Sequence, residues 1–249
     1  MRHPLRPISG LLAVTALAVT LAACTSGPPA APPASAGIVF DHSTPQNVAL
    51  TDQHNQPVTL ASLKGKVVVL APFLSLCQDE CPLITAAFIS LQRDVKAAGL
   101  GQRVVFLEVT VDPGRDTAAR LARYQTEFGA DWDLWTGTAA NIAAFWKPFG
   151  VSYQVVDEGQ PPQNDWLTGR PLTYDVDHTD GYILIDAKGH ERFIDVNAPN
   201  LPGLNHKLSG LLNAGGIHNL DHPQPTDWTI DDARNAIGWV LQTNIPAAG

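Results

Sequence analysis

Two cysteines and a distant histidine carry the densest chemistry in this chain. Cys77-Gln-Asp-Glu-Cys81-Pro82 has the spacing C-x-x-x-C. Thiolates attack disulfides and bind soft metals. On a helix, positions i and i+4 share a face. A disulfide needs Cα atoms about 4.4–6.8 Å apart, which that geometry permits. The pair therefore reads as a redox couple, a metal site, a structural disulfide or two buried thiols. Two thiolates alone hold a metal weakly, so a metal site needs a third ligand from elsewhere. Asp177-His178-Thr179-Asp180 offers one. A neighbouring carboxylate could hold one ring nitrogen and leave the other for metal. The plainer reading of His178 is a solvated histidine in an acidic turn.

The flanking pattern says what must position these groups. Val67–Phe73, VVVLAPF, is a continuous apolar run and predicts a buried strand just before the cysteines. Ile84, Ala87, Phe88, Leu91 and Val95 then recur at helical spacing, with Pro82 in the first turn and Gly99 at the stop. The cysteines thus sit at a strand-to-helix junction, where helix N–H groups and the helix dipole favour a thiolate. Val48–Leu60 predicts a hairpin and Val104–Val111 a second buried strand. Asp116 or Thr117 caps a helix with Leu121, Tyr124 and Phe128, and Thr138 starts another. Val151–Val156 is extended. Gly181–Asp186 and Glu191–Val196 form a hairpin around Ala187-Lys188-Gly189. Residues 157–174 read as a surface loop. Helices are expected near Leu201–Leu212 and over Thr229–Leu241. The alternation of strands and helices implies an α/β architecture.

Other polar motifs read as structural. Asp112, Arg115 and Asp116 lie in Asp-Pro-Gly-Arg-Asp-Thr, which is turn and cap chemistry. His206, His218 and His222 cluster near the C-terminus, either as a second metal site or as surface histidines. Trp132, Trp135 and Trp146 are core candidates.

Composition narrows the classes. The 249 residues carry a net charge of −8, which argues against a nucleic-acid partner. A 45% hydrophobic content argues against disorder of the whole chain. Three cysteines are too few for a disulfide scaffold or a ferredoxin cluster. Residues 1–23 read as a secretory leader, with Arg2 and Arg6 ahead of an apolar run. Leu21-Ala22-Ala23-Cys24 resembles the lipobox of bacterial lipoproteins, which makes Cys24 the lipidated first residue of the mature chain. Residues 24–37, rich in Pro and Ala, read as a tether. Localisation is then lipid-anchored on the extracytoplasmic (periplasmic) face of the cell membrane. Removing the leader takes away two arginines, no acid and the only methionine, so the charge becomes −10. An acidic surface of this kind favours a basic docking face on a partner.

Taken together, Cys77-x-x-x-Cys81-Pro82, Val109-Thr-Val-Asp-Pro-Gly-Arg-Asp-Thr117, Leu134-Trp-Thr-Gly137 and Asp177-His178-Thr179 before Tyr182–Asp186 resemble the Sco/SenC family. The resemblance implies a thioredoxin-like α/β fold over 38–198. It would have an N-terminal hairpin, an inserted hairpin carrying the histidine and a helical C-terminal extension over 199–249. It implies that Cys77, Cys81 and His178 bind one copper ion, as Cu(I) or Cu(II). It further implies a partner in the copper-bearing subunit of cytochrome c oxidase, or another copper acceptor. The alternative is a thiol–disulfide reductase in which Cys77 and Cys81 are the redox-active pair. A peroxidase is disfavoured because Leu74 stands where a Thr-x-x-Cys motif needs threonine. Zinc is disfavoured because three protein ligands leave its tetrahedron one short. The sequence departs from the family pattern at Gln78, Glu80 and Asp180.

Overall fold

A computed structural model describes residues 27–204 and 206–248; of residues 205–207 no side chain is described. The leader, 1–23, and Cys24 lie outside the described residues.

An eight-stranded mixed sheet organises the molecule. Its order is β1 (Ile38–Ser43), β10 (His190–Asp195), β9 (Tyr182–Ile185), β4 (Val67–Phe73), β5 (Val104–Thr110), β6 (Asp133–Thr136), β2 (Leu50–Asp52) and β3 (Pro57–Val58). At its centre β4 (Val67–Phe73) runs parallel to β5 (Val104–Thr110), and every residue of β4 is buried. The uninterrupted apolar run is the sequence mark of a strand covered on both faces. β6 (Asp133–Thr136) continues the parallel set on one side. The hairpin of β2 (Leu50–Asp52) and β3 (Pro57–Val58) closes that edge, antiparallel to β6. On the other side β9 (Tyr182–Ile185) runs antiparallel to β4. It forms the expected hairpin with β10 (His190–Asp195), and β1 (Ile38–Ser43) pairs outside it.

Helices cover the faces. α1 (Glu80–Ala97) crosses from β4 to β5 and buries Ile84, Ala87, Phe88, Leu91 and Val95, the residues whose spacing predicts it. α2 (Ala118–Phe128) is capped by Thr117, whose Oγ1 accepts from Arg120 N at 3.3 Å. α3 (Ala139–Trp146) is capped by Thr138. Trp132, Trp135 and Trp146 are all buried.

A separate two-stranded ribbon, β7 (Tyr153–Val156) with β8 (Asp175–His178), rises beside the sheet and carries His178 at its end. The 157–174 segment between its strands is more than a surface loop. Asp165 is buried against Arg120, at 2.8 and 3.0 Å to its two guanidinium nitrogens. Burial works against this charge, but the bidentate arginine wins and holds the carboxyl down to about 2. Trp166 packs edge-on against Tyr124 and Phe128, and its indole donates to Ser75 O.

The C-terminal extension contains β11 (Pro199–Asn200), α4 (His206–Ser209), α5 (Ala214–Asp221), β12 (Trp228–Thr229) and α6 (Ile230–Leu241). α6 matches its expected span and opens with a capping box between Thr229 and Asp232. The helix expected over Leu201–Leu212 is only the one turn of α4, and the longer helix lies further on, as α5. Residues 27–36 lie near α6; Pro29–Pro33 and Ala36 line a cavity of about 270 Å³ with Tyr182, Phe193 and Asn235.

Candidate metal centre

The cysteine loop is built on three anchors. β4 ends at Phe73, and the chain turns through Leu74-Ser75-Leu76 before α1. Asp116 fixes that turn. Its carboxylate accepts from the Ser75 backbone N at 3.1 Å, and from the hydroxyls of Ser75 and Thr110. Asp116 is therefore no helix cap, the role left open for it; that role is Thr117's alone. Burial raises Asp116 to about 6 against these donors.

The Asp112–Arg115 turn has a similar task at the histidine. Arg115 pairs with Asp112, donates to Tyr174 O at 2.7 Å and stacks 3.7 Å over the Tyr174 ring. Tyr174 directly precedes β8. After His178, Gly181 adopts φ +95, and a Cβ there would lie 1.8 Å from Asp195 O. Only glycine permits that approach, which brings the end of β8 back against β10.

These anchors gather the predicted residues. Cys77 and Cys81 are free thiols, so neither a structural disulfide nor a shared helical face describes them. Cys77 lies ahead of α1 and Cys81 lies in its first turn, because Asp79 at the N-cap departs from helical dihedrals. A sulfur of each cysteine and a ring nitrogen of His178 all lie within 4.8 Å of one another, as does no other such trio of Cys, His, Asp or Glu among the described residues. Cys81 Sγ is 3.6 Å from His178 Nε2. His178 Nδ1 donates to Thr179 O at 2.8 Å, and Asp180 Oδ1 lies 3.6 Å from it. That contact orients the ring so that Nε2 faces the sulfurs.

The charges are uneven. The hydrogen bond from Cys81 comes first, then His178, and together they hold the Cys77 thiol well below its ordinary value despite burial. Cys81 N also donates to Cys77 Sγ at 3.4 Å, a helix-start amide facing a sulfur. Cys81 is pushed well up, first by burial and then by Cys77. For His178, burial opposes the charge, but the Cys77 hydrogen bond and Asp180 raise it to about 9. Burial raises Glu80 to about 8, with Asp180 and Asp79 adding to it. The two thiols are therefore unequal: Cys77, facing the imidazole, is the more acidic, and buried Cys81 the less.

Beneath Cys81 lies a buried network that composition and spacing did not mark. Thr85 Oγ1 is 3.0 Å from Cys81 O, 2.7 Å from Glu108 Oε1 and 2.8 Å from Tyr124 OH. Trp132 Nε1 donates to Glu108 Oε2 at 2.9 Å. The one available signal was an acid in the middle of VVFLEVT. Among the described residues, His218 and His222 join no such trio. His218 and His222 stack on each other at 4.4 Å and face solvent, and the His206 side chain is not among those described.

Two thiolates and an imidazole form a soft donor set suited to Cu(I), and able to hold Cu(II). Comparison with known proteins points the same way. The SCO1/SenC family model matches residues 40–202. Protein sco1 of Schizosaccharomyces pombe is 28% identical over 152 residues, covering 61% of this chain and 54% of that protein. The SCO1 protein homolog of Bacillus subtilis is 30% identical over 140 residues, covering 56% and 71%. The chain spans about half the length of the yeast relatives it matches. Bradyrhizobium japonicum ScoI, solved with copper bound, superposes with a TM-score of 0.51 at 28% identity, covering 68% of this chain and 96% of that one. A SCO1/SenC family lipoprotein from Bacillus anthracis gives 0.51 at 27% identity, covering 65% and 90%.

Proposed function

Because the chain belongs to the SCO1/SenC family, we propose that it binds one copper ion through Cys77, Cys81 and His178 and passes it to a copper acceptor. The observation that carries this reading is the convergence of the three ligand atoms within 4.8 Å. Its support among relatives is the copper bound in Bradyrhizobium japonicum ScoI. The acceptor is the copper-bearing subunit of cytochrome c oxidase, whose copper centre the protein helps to assemble. Transfer proceeds by ligand exchange, the acceptor's thiolates or thioethers replacing Cys77 first because it lies nearer solvent. Titration of the reduced full-length chain with Cu(I) against a competing chelator gives one tightly held ion per chain. The Cys77→Ser/Cys81→Ser double variant retains none. Equal retention by both would end the assignment.

We also propose that the chain is lipidated at Cys24 and held at the outer face of the cell membrane, with residues 24–37 as tether and 38–198 as the copper-binding domain. No helix among the described residues is long and apolar enough to cross a membrane. Cys24→Ser moves the protein from the membrane to the soluble fraction of a cell lysate; unchanged fractionation would refute the anchor.

A second reading, a thiol–disulfide reductase, is favoured by the unequal thiols. Cys77 would attack a partner's disulfide and Cys81 would resolve the mixed disulfide. His178 contributes no ligand in that reaction, so copper stoichiometry separates the two readings.

A further inference from the structure

The family match ends at residue 202, yet the chain beyond it returns to the cysteine loop. Asn213, the N-cap of α5, donates its backbone N–H to Gln78 O at 2.7 Å. It also lines the cavity of about 200 Å³ that holds Cys77, His178 and Asp180. Gly215 and Gly216 follow. A Cβ on Gly215 would meet Asp79 Oδ2 at 2.6 Å, and one on Gly216 would meet Gln78 O at 2.8 Å. The helix therefore approaches at a distance only glycine allows. One turn on, the Asn219 amide donates to Asp79 Oδ1 at 2.9 Å and also to Glu80 Oε1. Across the loop, Gln78 Nε2 donates to Asn164 O at 2.8 Å.

All three residues between the cysteines are thus held from outside the loop. The chemistry of Asn219 suits this task. Its amide has two N–H groups and no charge, so it can serve one oxygen of each of two adjacent carboxylates. Without it, Asp79 and Glu80 lose the shared donor that ties both to α5, and the loop is free to swing away from that helix. The sulfur on either side of that loop would move with it.

We propose that α5 is a clamp on the cysteine loop and that Asn219 is a positioning residue of the metal centre, setting how tightly the ion is held. The proposal rests on the copper reading for its cargo. The clamp itself is a property of the copper-free loop, so the two can fail separately.

The test compares full-length wild type, Asn219→Ala and Asn219→Asp. The aspartate variant keeps the shape while removing both donors and adding a third acid. Outer contacts of metal ligands are worth roughly 10–100-fold in affinity. Cu(I) affinity, by chelator competition, falls about tenfold in the alanine variant and nearer 100-fold in the aspartate variant. In the copper-free chain, amide hydrogen exchange across residues 77–81 speeds up in both. Wild-type exchange at the loop in both variants would overturn the proposal. So would faster exchange with unchanged affinity, which would make α5 a brace with no bearing on the ion. If wild type itself binds no copper, the cargo reading fails, and loop exchange still decides whether the clamp exists.

Discussion

Replacing His178 with alanine lowers Cu(I) affinity by about 100-fold or more, since loss of a ligand exceeds the roughly 10–100-fold attached to outer contacts. The protein stays folded, because His178 ends a ribbon that stands outside the main sheet. The ring is already placed for coordination. Thr179 O takes the Nδ1 proton, and Nε2 faces the sulfurs. In the copper-free protein, however, Nε2 carries a proton as well, since Cys77 and Asp180 raise His178 to about 9. Cys81 is also protonated. Both protons must leave before both groups can bind. Loading at neutral pH therefore releases protons from both groups, and affinity rises with pH, more steeply below about 9, where His178 still carries its proton, and less steeply above it, where only Cys81 does. A preformed dithiolate with a neutral imidazole would release no proton, and its affinity would be flat over this range. Chelator competition from pH 6 to 9, on wild type and the alanine variant, measures both effects. Equal affinity in the two proteins removes His178 from the ligand set.

The same residues show how much of the site is written in the sequence. β4 matched its expected bounds, Val67–Phe73, because a strand buried on both faces writes itself as an unbroken apolar run. α6 was legible because its buried face recurs at helical spacing behind a Thr-x-x-Asp cap. His178 stood out by its position before a buried strand. The partners of these residues were not legible, because they lie far away in sequence. Asp116 holds Ser75 across 41 residues, and Arg120 holds Asp165 across 45. Nothing local in a Gly- and Pro-rich stretch announces a buried acid. α5 lies beyond the span its sequence pattern suggests for a related reason. AGGIHNLD is a poor helix former by propensity, with two glycines in its first turns. It holds because Asn213 caps it and because those glycines press on the cysteine loop, a reason that exists only in the folded chain.

In the reduced, metal-free chain, iodoacetamide modifies Cys77 and spares Cys81. Cys81 is fully buried, Cys77 only partly so. Ionisation widens the gap. An ordinary thiol near pH 8.5 is only ~3% thiolate at pH 7, so a lowered Cys77 gains reactive form up to a ceiling of roughly 30-fold. The lower nucleophilicity of an acidic thiol takes back part of this, leaving a rate advantage of up to about tenfold over a free thiol. The pH profile is the sharper readout. With its value held below the ordinary one, Cys77 loses less rate than a free thiol as pH falls from 8 to 6, where the free thiol loses about tenfold per unit. Cys81→Ala removes the strongest of the groups that hold the thiolate, the Cys81 side chain, and leaves the weaker backbone donor at 3.4 Å. Its Cys77 profile therefore bends upward toward that of a free thiol. Mass spectrometry of the labelled chain decides the outcome, and equal labelling of the two cysteines would sink the asymmetry. That asymmetry has a consequence for either chemistry. The more exposed and more acidic sulfur, Cys77, is the one an arriving ion or a partner's disulfide meets first. The buried thiol then acts second, closing the copper site together with His178 or resolving the mixed disulfide.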